Sequence, residues 1–258
     1  MNVVVVNDYD EMSKRAASII ASQVILNPKS VLGFATGDTP IGTYKELVKI
    51  YKEGYIDFSD VVTFNLDEYY SISKENPQSY NFYMKNYLFN HINVKDENIH
   101  MLNGMCDDIE KECTSYENLI KESGGINLQI LGIGRNGHIG FNEPNANFEG
   151  VTHLVHLDKG TINANSRFCN SVEEVPTKAI SMGIKTIMSV KKILLLASGI
   201  KKSEAVYHAV NGPITPKVPG SILQLHPDVT LILDKEAAYK ISSRNEKYRN
   251  LSIVEGKK

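Results

Sequence analysis

The chain has 258 residues, 42% of them apolar and 22% charged, with a formal net charge of −2. That length suits one large α/β domain or two small ones with a sizeable core, and basic residues no more clustered than Lys191-Lys192 or Lys201-Lys202 argue against a nucleic-acid face. No apolar run approaches the ~18 residues of a membrane span and the start lacks the basic stretch of a signal peptide, so a cytoplasmic protein with no membrane contact is expected.

In chain order, Val3–Val6 reads as a buried strand. Asp8 caps a helix whose Met12, Ala16, Ile19, Ile20 and Val24 recur at helical spacing. Val31–Ala35 is a strand, followed by a TGDTP turn and a helix carrying Tyr44, Leu47, Val48 and Tyr51. Val61–Phe64 is a strand, and Tyr80 to Phe89 and Tyr116 to Ile120 read as helix. Leu128–Gly132 and His153–Leu157 are strand-like, Lys178 to Val190 has helical spacing, and Ile193–Ala197 and Val229–Leu233 are apolar strands. This alternation predicts an α/β fold: a mostly parallel, doubly wound (Rossmann-like) sheet with helices on both faces, in a single domain spanning residues 1–258. The three cysteines, Cys106, Cys113 and Cys169, lack C-x-x-C spacing. They read as free thiols in a reducing compartment, and no metal site is expected.

In open α/β sheets ligands bind beyond the carboxyl ends of the strands. Four polar segments follow strands here. In Thr36-Gly37-Asp38-Thr39-Pro40, Gly37 permits positive φ, Thr39 or Asp38 can cap the next helix and Pro40 suits its first turn. Amides and dipole there form a phosphate cradle, or simply an ordinary helix start. In Asn65-Leu66-Asp67-Glu68-Tyr69-Tyr70 a carboxylate at a desolvated strand end has its pKa raised towards a range useful for taking a proton from carbon; the alternative is a solvated turn.

Gly132 to Pro144 contains a literal G-x-G-x-x-G, with Asp158 where a ribose-binding acid would fall. The dinucleotide reading fails on context, because Gly140, Asn142 and Pro144 replace the required helix. What remains is His138 close to Glu143, a pair suited to proton shuttling, since a carboxylate on one imidazole nitrogen fixes the tautomer. In Ser198-Gly199-Ile200-Lys201-Lys202, a lysine at a helix start opposes the dipole unless it faces an anion. With Arg167 of ANSRF and the TGDTP amides, it would complete a phosphate clamp.

Together TGDTP, VVTFNLDEYY, NPQSY, GIGRNGHIGFNEP, ANSRF and LQLHP resemble the glucosamine-6-phosphate deaminase family, in order from Val31 to Pro227. The resemblance implies conversion of glucosamine 6-phosphate and water to fructose 6-phosphate and ammonium, with no cofactor or metal and a small-molecule substrate as partner. It makes Asp67 the enolisation base and His138 the ring-opening acid/base, oriented by Glu143 with Asn136 nearby. It sets the phosphate against Gly37, Asp38, Thr39, Arg167 and Lys202. Lys202 is preferred to Lys201 for its spacing to Ala209–Gly212.

Two positions depart from the family's pattern. Asn136 stands where the enteric branch has aspartate, and a neutral amide stabilises an imidazolium less than a carboxylate does. Asp38 replaces a small residue, so its side chain should point away from phosphate and contribute only its amide. Basic residues of the enteric allosteric site are missing near His153 and Val155, so that regulation is not expected; the family contains monomers and homo-oligomers. Two other functions share this fold: a 6-phosphogluconolactonase-like hydrolase and a non-catalytic sugar-phosphate sensor. The polar stretch from Asp158 to Pro176 is read as a lid.

Overall fold

A computed structural model describes residues 1–158, 160–162 and 176–244. Its main sheet has seven strands, all paired in parallel: β1 (Asn2–Val6), β2 (Val31–Phe34), β3 (Val62–Asn65), β5 (Ile99–His100), β6 (Leu128–Leu131), β9 (Ile193–Ala197) and β10 (Val229–Asp234). The strand order is β1-β10-β9-β6-β2-β3-β5.

The central strands are apolar on both faces, as a sheet covered on both sides requires. Leu32, Phe34, Ile130, Leu194, Leu196 and Ile232 pack on α1 (Tyr9–Leu26), α2 (Ile41–Lys52) and α3 (Tyr80–Tyr87). Val31, Leu131, Ile193, Leu195, Leu231 and Leu233 pack on α4 (Ile109–Glu122), α5 (Ile184–Met188) and α6 (Ser203–Asn211). Asp8 caps α1, accepting from the Glu11 amide at 2.9 Å. The N-cap of α2 is Pro40, later in the chain than the Thr39 or Asp38 expected from the sequence, and it makes no side-chain capping bond.

A second, antiparallel sheet was not foreseen. β4 (Asp67–Tyr69), β8 (Lys178–Ser181) and β7 (His153–His156) pair in the order β4-β8-β7. The Lys178–Val190 stretch is therefore a strand followed by the short α5 rather than one helix. Gly183 marks the break, and a Cβ there would strike the backbone carbonyls of Gly150 and Val151. Leu66 joins the two sheets. Its amide donates to Phe34 O of the large sheet, and its carbonyl accepts from Met182 N beyond β8, both at 2.9 Å.

From β2 the chain winds outward to β3 and β5, then returns by α4 to β6 and continues the other way to β9 and β10. The strand order thus reverses between β2 and β6. Loops leave such a point in opposite directions and open a crevice between them. The TGDTP turn and the glycine-rich loop are the segments that flank it.

Candidate active site

The turn after β2 has the geometry of an anion cradle. Gly37 has φ +90°, a conformation open to glycine, although a Cβ there would meet nothing within 4 Å. Among the described residues the amides of Gly37 and Thr39 have no acceptor. Burial holds the phenols of Tyr44 and Tyr83 protonated, well above the ordinary tyrosine range.

Asp67 opens β4, a buried strand position and not the solvated turn weighed for it. The strand faces Ser181 across the small sheet. Asp67 is 5% exposed, and its carboxylate has no hydrogen-bond partner among the described residues. Burial first, and the neighbouring Glu68 charge second, push its pKa up to about 8.

Glu68 points elsewhere. It accepts from the amides of Tyr80 and Asn81, each at 2.8 Å, and of Tyr69 at 2.9 Å, and so pins the first turn of α3. Burial raises its pKa to about 7, the three amides opposing. Two adjacent acids are thereby given different work: Glu68 is consumed by the backbone and Asp67 is left unpaired.

The glycine-rich loop is irregular, as expected from its composition. The Gly134 amide closes onto His138 O at 2.9 Å, and a side chain at 134 would fall inside the His138 imidazole. Gly137 has φ +88°, and a Cβ there would lie 2.7 Å from Val218.

His138 Nδ1 lies 3.2 Å from Glu143 Oε2. Asn136 Nδ2 donates to the same oxygen at 2.7 Å, while its Oδ1 accepts from His138 N at 3.2 Å. Thr161 Oγ1 donates to Glu143 Oε1 at 2.5 Å. Burial alone would raise the Glu143 pKa, but the bonds from His138, Thr161 and Asn136 outweigh it and hold the carboxyl below its usual value. Asn136 therefore acts by gripping Glu143. An aspartate there would set a second carboxylate against Oε2, unless one of them took a proton.

Hydrogen bonds tie the four segments together. Lys202 Nζ donates to Ile133 O at 2.5 Å, drawing the segment after β9 to the glycine-rich loop. Phe141 N donates to Ser181 Oγ at 3.1 Å, which brings that loop against β8 opposite Asp67. Helix α3 links the strand of the base to the turn: Glu68 accepts from Tyr80 N at 2.8 Å, and Tyr83 donates to Gly37 O at 2.6 Å. Asp234 accepts from Gly199 N and Ser198 Oγ and so fixes the loop that carries Lys202.

Asp67, Asn136, His138, Glu143 and the TGDTP turn thus gather at one crevice with Lys202 beside them. Arg167 lies outside the described residues, as does most of the segment read as a lid. Sequence reasoning missed Thr161 and the tyrosines. Thr161 sits in the presumed lid, and Tyr44, Tyr80 and Tyr83 fall at helical spacing that reads as core packing. Among the described residues, no group of three or more histidines, cysteines or acids is arranged to hold a metal ion, and no helix is long and apolar enough to cross a membrane.

Residues 7–232 match the model of the family described as glucosamine-6-phosphate isomerases/6-phosphogluconolactonase. The glucosamine-6-phosphate deaminase of Clostridium botulinum (strain Loch Maree / Type A3) is 64% identical over 94% of this chain and 99% of its own length. That of Clostridium acetobutylicum is 65% identical over 92% of this chain and 99% of its own. A solved structure of a monomeric glucosamine-6-phosphate deaminase superposes with a TM-score of 0.91 at 46% identity, covering 93% of this chain and 99% of that one. The 6-phosphogluconolactonase of Trypanosoma cruzi, at 18% identity and a TM-score of 0.74 over 93% of this chain and 97% of its own, shares the fold alone. The chain belongs to the glucosamine-6-phosphate isomerase/6-phosphogluconolactonase family.

Proposed function

We propose, from that membership and the geometry of the crevice, that His138 and Asp67 divide between them the proton transfers of an isomerising deamination. The chain is a glucosamine-6-phosphate deaminase: glucosamine 6-phosphate and water enter, fructose 6-phosphate and ammonium leave. Sugar phosphates rest as closed rings, so the C1 hydroxyl proton must first pass to the ring oxygen. His138, its Nδ1 side held by Glu143 at 3.2 Å, presents its other nitrogen for that transfer.

In the open chain the C2 proton lies next to a carbonyl. Asp67 takes it and delivers it to C1, turning the 2-amino aldehyde through an enol into a 2-imine. Water adds at C2 and the C–N bond breaks to release ammonia. The phosphate, against the amides of Gly37, Asp38 and Thr39 with Lys202 and Arg167, supplies binding energy remote from the reacting carbons.

The observation that carries this reading is Asp67: buried, unpaired among the described residues and at the first position of β4. A lactonase removes no proton from carbon and would leave Asp67 without a task. The free thiols Cys106 and Cys113 support a reducing, cytoplasmic setting, and the 46% identical monomeric relative supports a monomer.

The test is ammonium and fructose 6-phosphate release from glucosamine 6-phosphate, native protein beside Asp67→Asn. Equimolar products are expected from the native protein, with at least about a thousandfold loss in the variant while substrate still binds, at the upper range for a proton-transfer group. Turnover retained by the variant would remove Asp67 from the mechanism. No turnover by the native protein despite binding would favour a sensor.

A further inference from the structure

Three residues of the segment after β2 have their carbonyls held by tyrosine hydroxyls, one tyrosine from each of three helices. Tyr44 of α2 donates to Ala35 O. Tyr83 of α3 donates to Gly37 O at 2.6 Å. Tyr9 of α1 donates to Asp38 O at 3.1 Å and accepts from Gly42 N at 2.8 Å.

Packing alone does not call for these hydroxyls, since phenylalanine would fill the same space. Their effect on the turn follows from peptide geometry. In a planar trans peptide the carbonyl and the amide of the next residue point in opposite directions. A phenol that holds Gly37 O on the helix side therefore turns the Asp38 amide away from the helices. One that holds Asp38 O does the same for the Thr39 amide, which has no acceptor among the described residues.

We propose that Tyr83 and Tyr9 are positioning residues for the phosphate of the substrate, fixing the Gly37 and Asp38 carbonyls so that the Asp38 and Thr39 amides face the anion. The inference rests on the reading of this turn as the phosphate site. It assigns part of the affinity to hydroxyls that never touch the ligand. Glu68 extends the same device to the base: it pins the first turn of α3 from the strand that carries Asp67, so one helix spaces base and phosphate.

The test compares Tyr83→Phe and Tyr9→Phe with Tyr87→Phe, measuring kcat, KM for glucosamine 6-phosphate and the inhibition constant of inorganic phosphate. Tyr87 is a control on the same helix face: its ring packs on Tyr83 at 4.6 Å and its hydroxyl has no partner among the described residues. Tyr83→Phe is expected to raise KM and the phosphate inhibition constant by one common factor, about fivefold to tenfold, the scale of one net hydrogen bond. Its kcat should stay within about twofold, because a loss of uniform binding leaves kcat alone. Tyr9→Phe should act in the same direction with a smaller factor, and Tyr87→Phe should change neither constant.

Gly37→Ala, which forces a side chain onto φ +90°, separates the two readings. If it weakens phosphate and Tyr83→Phe does not, the tyrosine inference falls and the cradle stands. If it leaves phosphate affinity unchanged, or phosphate fails to compete in the native enzyme, the cradle reading falls and takes the inference with it. A Tyr83→Phe protein whose kcat drops while its phosphate inhibition constant holds would also overturn the proposal.

Discussion

At the site a single methyl group can separate folding from chemistry. Gly134 is the sharpest case, because a Cβ there would occupy the space of the His138 imidazole. The ring ends a side chain that is 20% exposed, so Gly134→Ala should displace it and lower kcat at least about tenfold, the scale of disturbing an orienting contact, while the melting temperature changes little. Circular dichroism melts beside steady-state rates check this, and a large loss of stability with kcat retained would refute it. Asp67 makes a prediction in pH. A base must be ionised to accept a proton, and burial sets its pKa in the free protein at about 8. The kcat/KM profile should therefore climb with pH, by up to tenfold per unit, and level off near pH 8. A profile flat from pH 6 to 9 would mean that Asp67 is already ionised across that range.

Among the elements, the main strands and the helices that cover them were legible in the sequence, because apolar runs bounded by Gly, Asp and Pro leave few alternatives. Val31–Phe34, Ile193–Ala197 and Val229–Asp234 are buried almost throughout. The small sheet was not legible. Asp67–Tyr69 has three residues, too few to show a period, and its partner Lys178–Ser181 stands more than a hundred positions away. The closeness of His138 to Glu143 was legible, since they stand five positions apart in a glycine-rich loop, whereas the burial of Asp67 was not, a solvated turn being the alternative for it. The work of Glu68 was hidden, because its partners are backbone amides that a sequence does not display. Removing it tests α3. Glu68→Ala strands the buried amides of Tyr69, Tyr80 and Asn81, and each orphaned group costs about 1–3 kcal/mol less whatever water enters. The expected loss is therefore at least about 2 kcal/mol, read from urea unfolding. The KM should rise as well, since Tyr83 travels with the helix. A variant as stable as the native protein would show that α3 does not depend on this anchor.

For the whole molecule, the site sets how stability varies with pH. Asp67 is held near 8 in the fold and titrates near the ordinary aspartate value of 3.8 once unfolded. Between those values the unfolded chain has released a proton that the folded one retains, so this term stabilises fully below pH 3.8 and is lost as pH rises towards 8, by up to about 1.4 kcal/mol per unit. Glu68, raised to about 7 from 4.5, contributes with the same sign over a narrower window. Two partly buried groups oppose them, and the exposed Asp57 and Glu75, lowered by local hydrogen bonds, act in the same opposing sense at acid pH. Glu143, lowered by its bonds to His138, Thr161 and Asn136 against the pull of burial, adds stability above pH 4.5 that is lost as pH falls through its folded value. His100, lowered by burial, favours the fold as pH rises towards 6.5. Above pH 6.5 both opposing terms are complete and only the acid pair still changes. The melting temperature should therefore fall between pH 6.5 and 8 and then flatten as far as these groups decide it. Asp67→Asn removes the larger share: its gain over the native protein should grow with pH, reaching an order of a few kcal/mol at pH 8, which is roughly ten degrees for a chain of this size. Inorganic phosphate added to both proteins isolates the site from the background, since a ligand that binds only the fold raises either melting point by mass action. Parallel melting curves for native and Asp67→Asn protein across this range would mean that the folded protein keeps Asp67 ionised, and that its base comes at no expense to the fold.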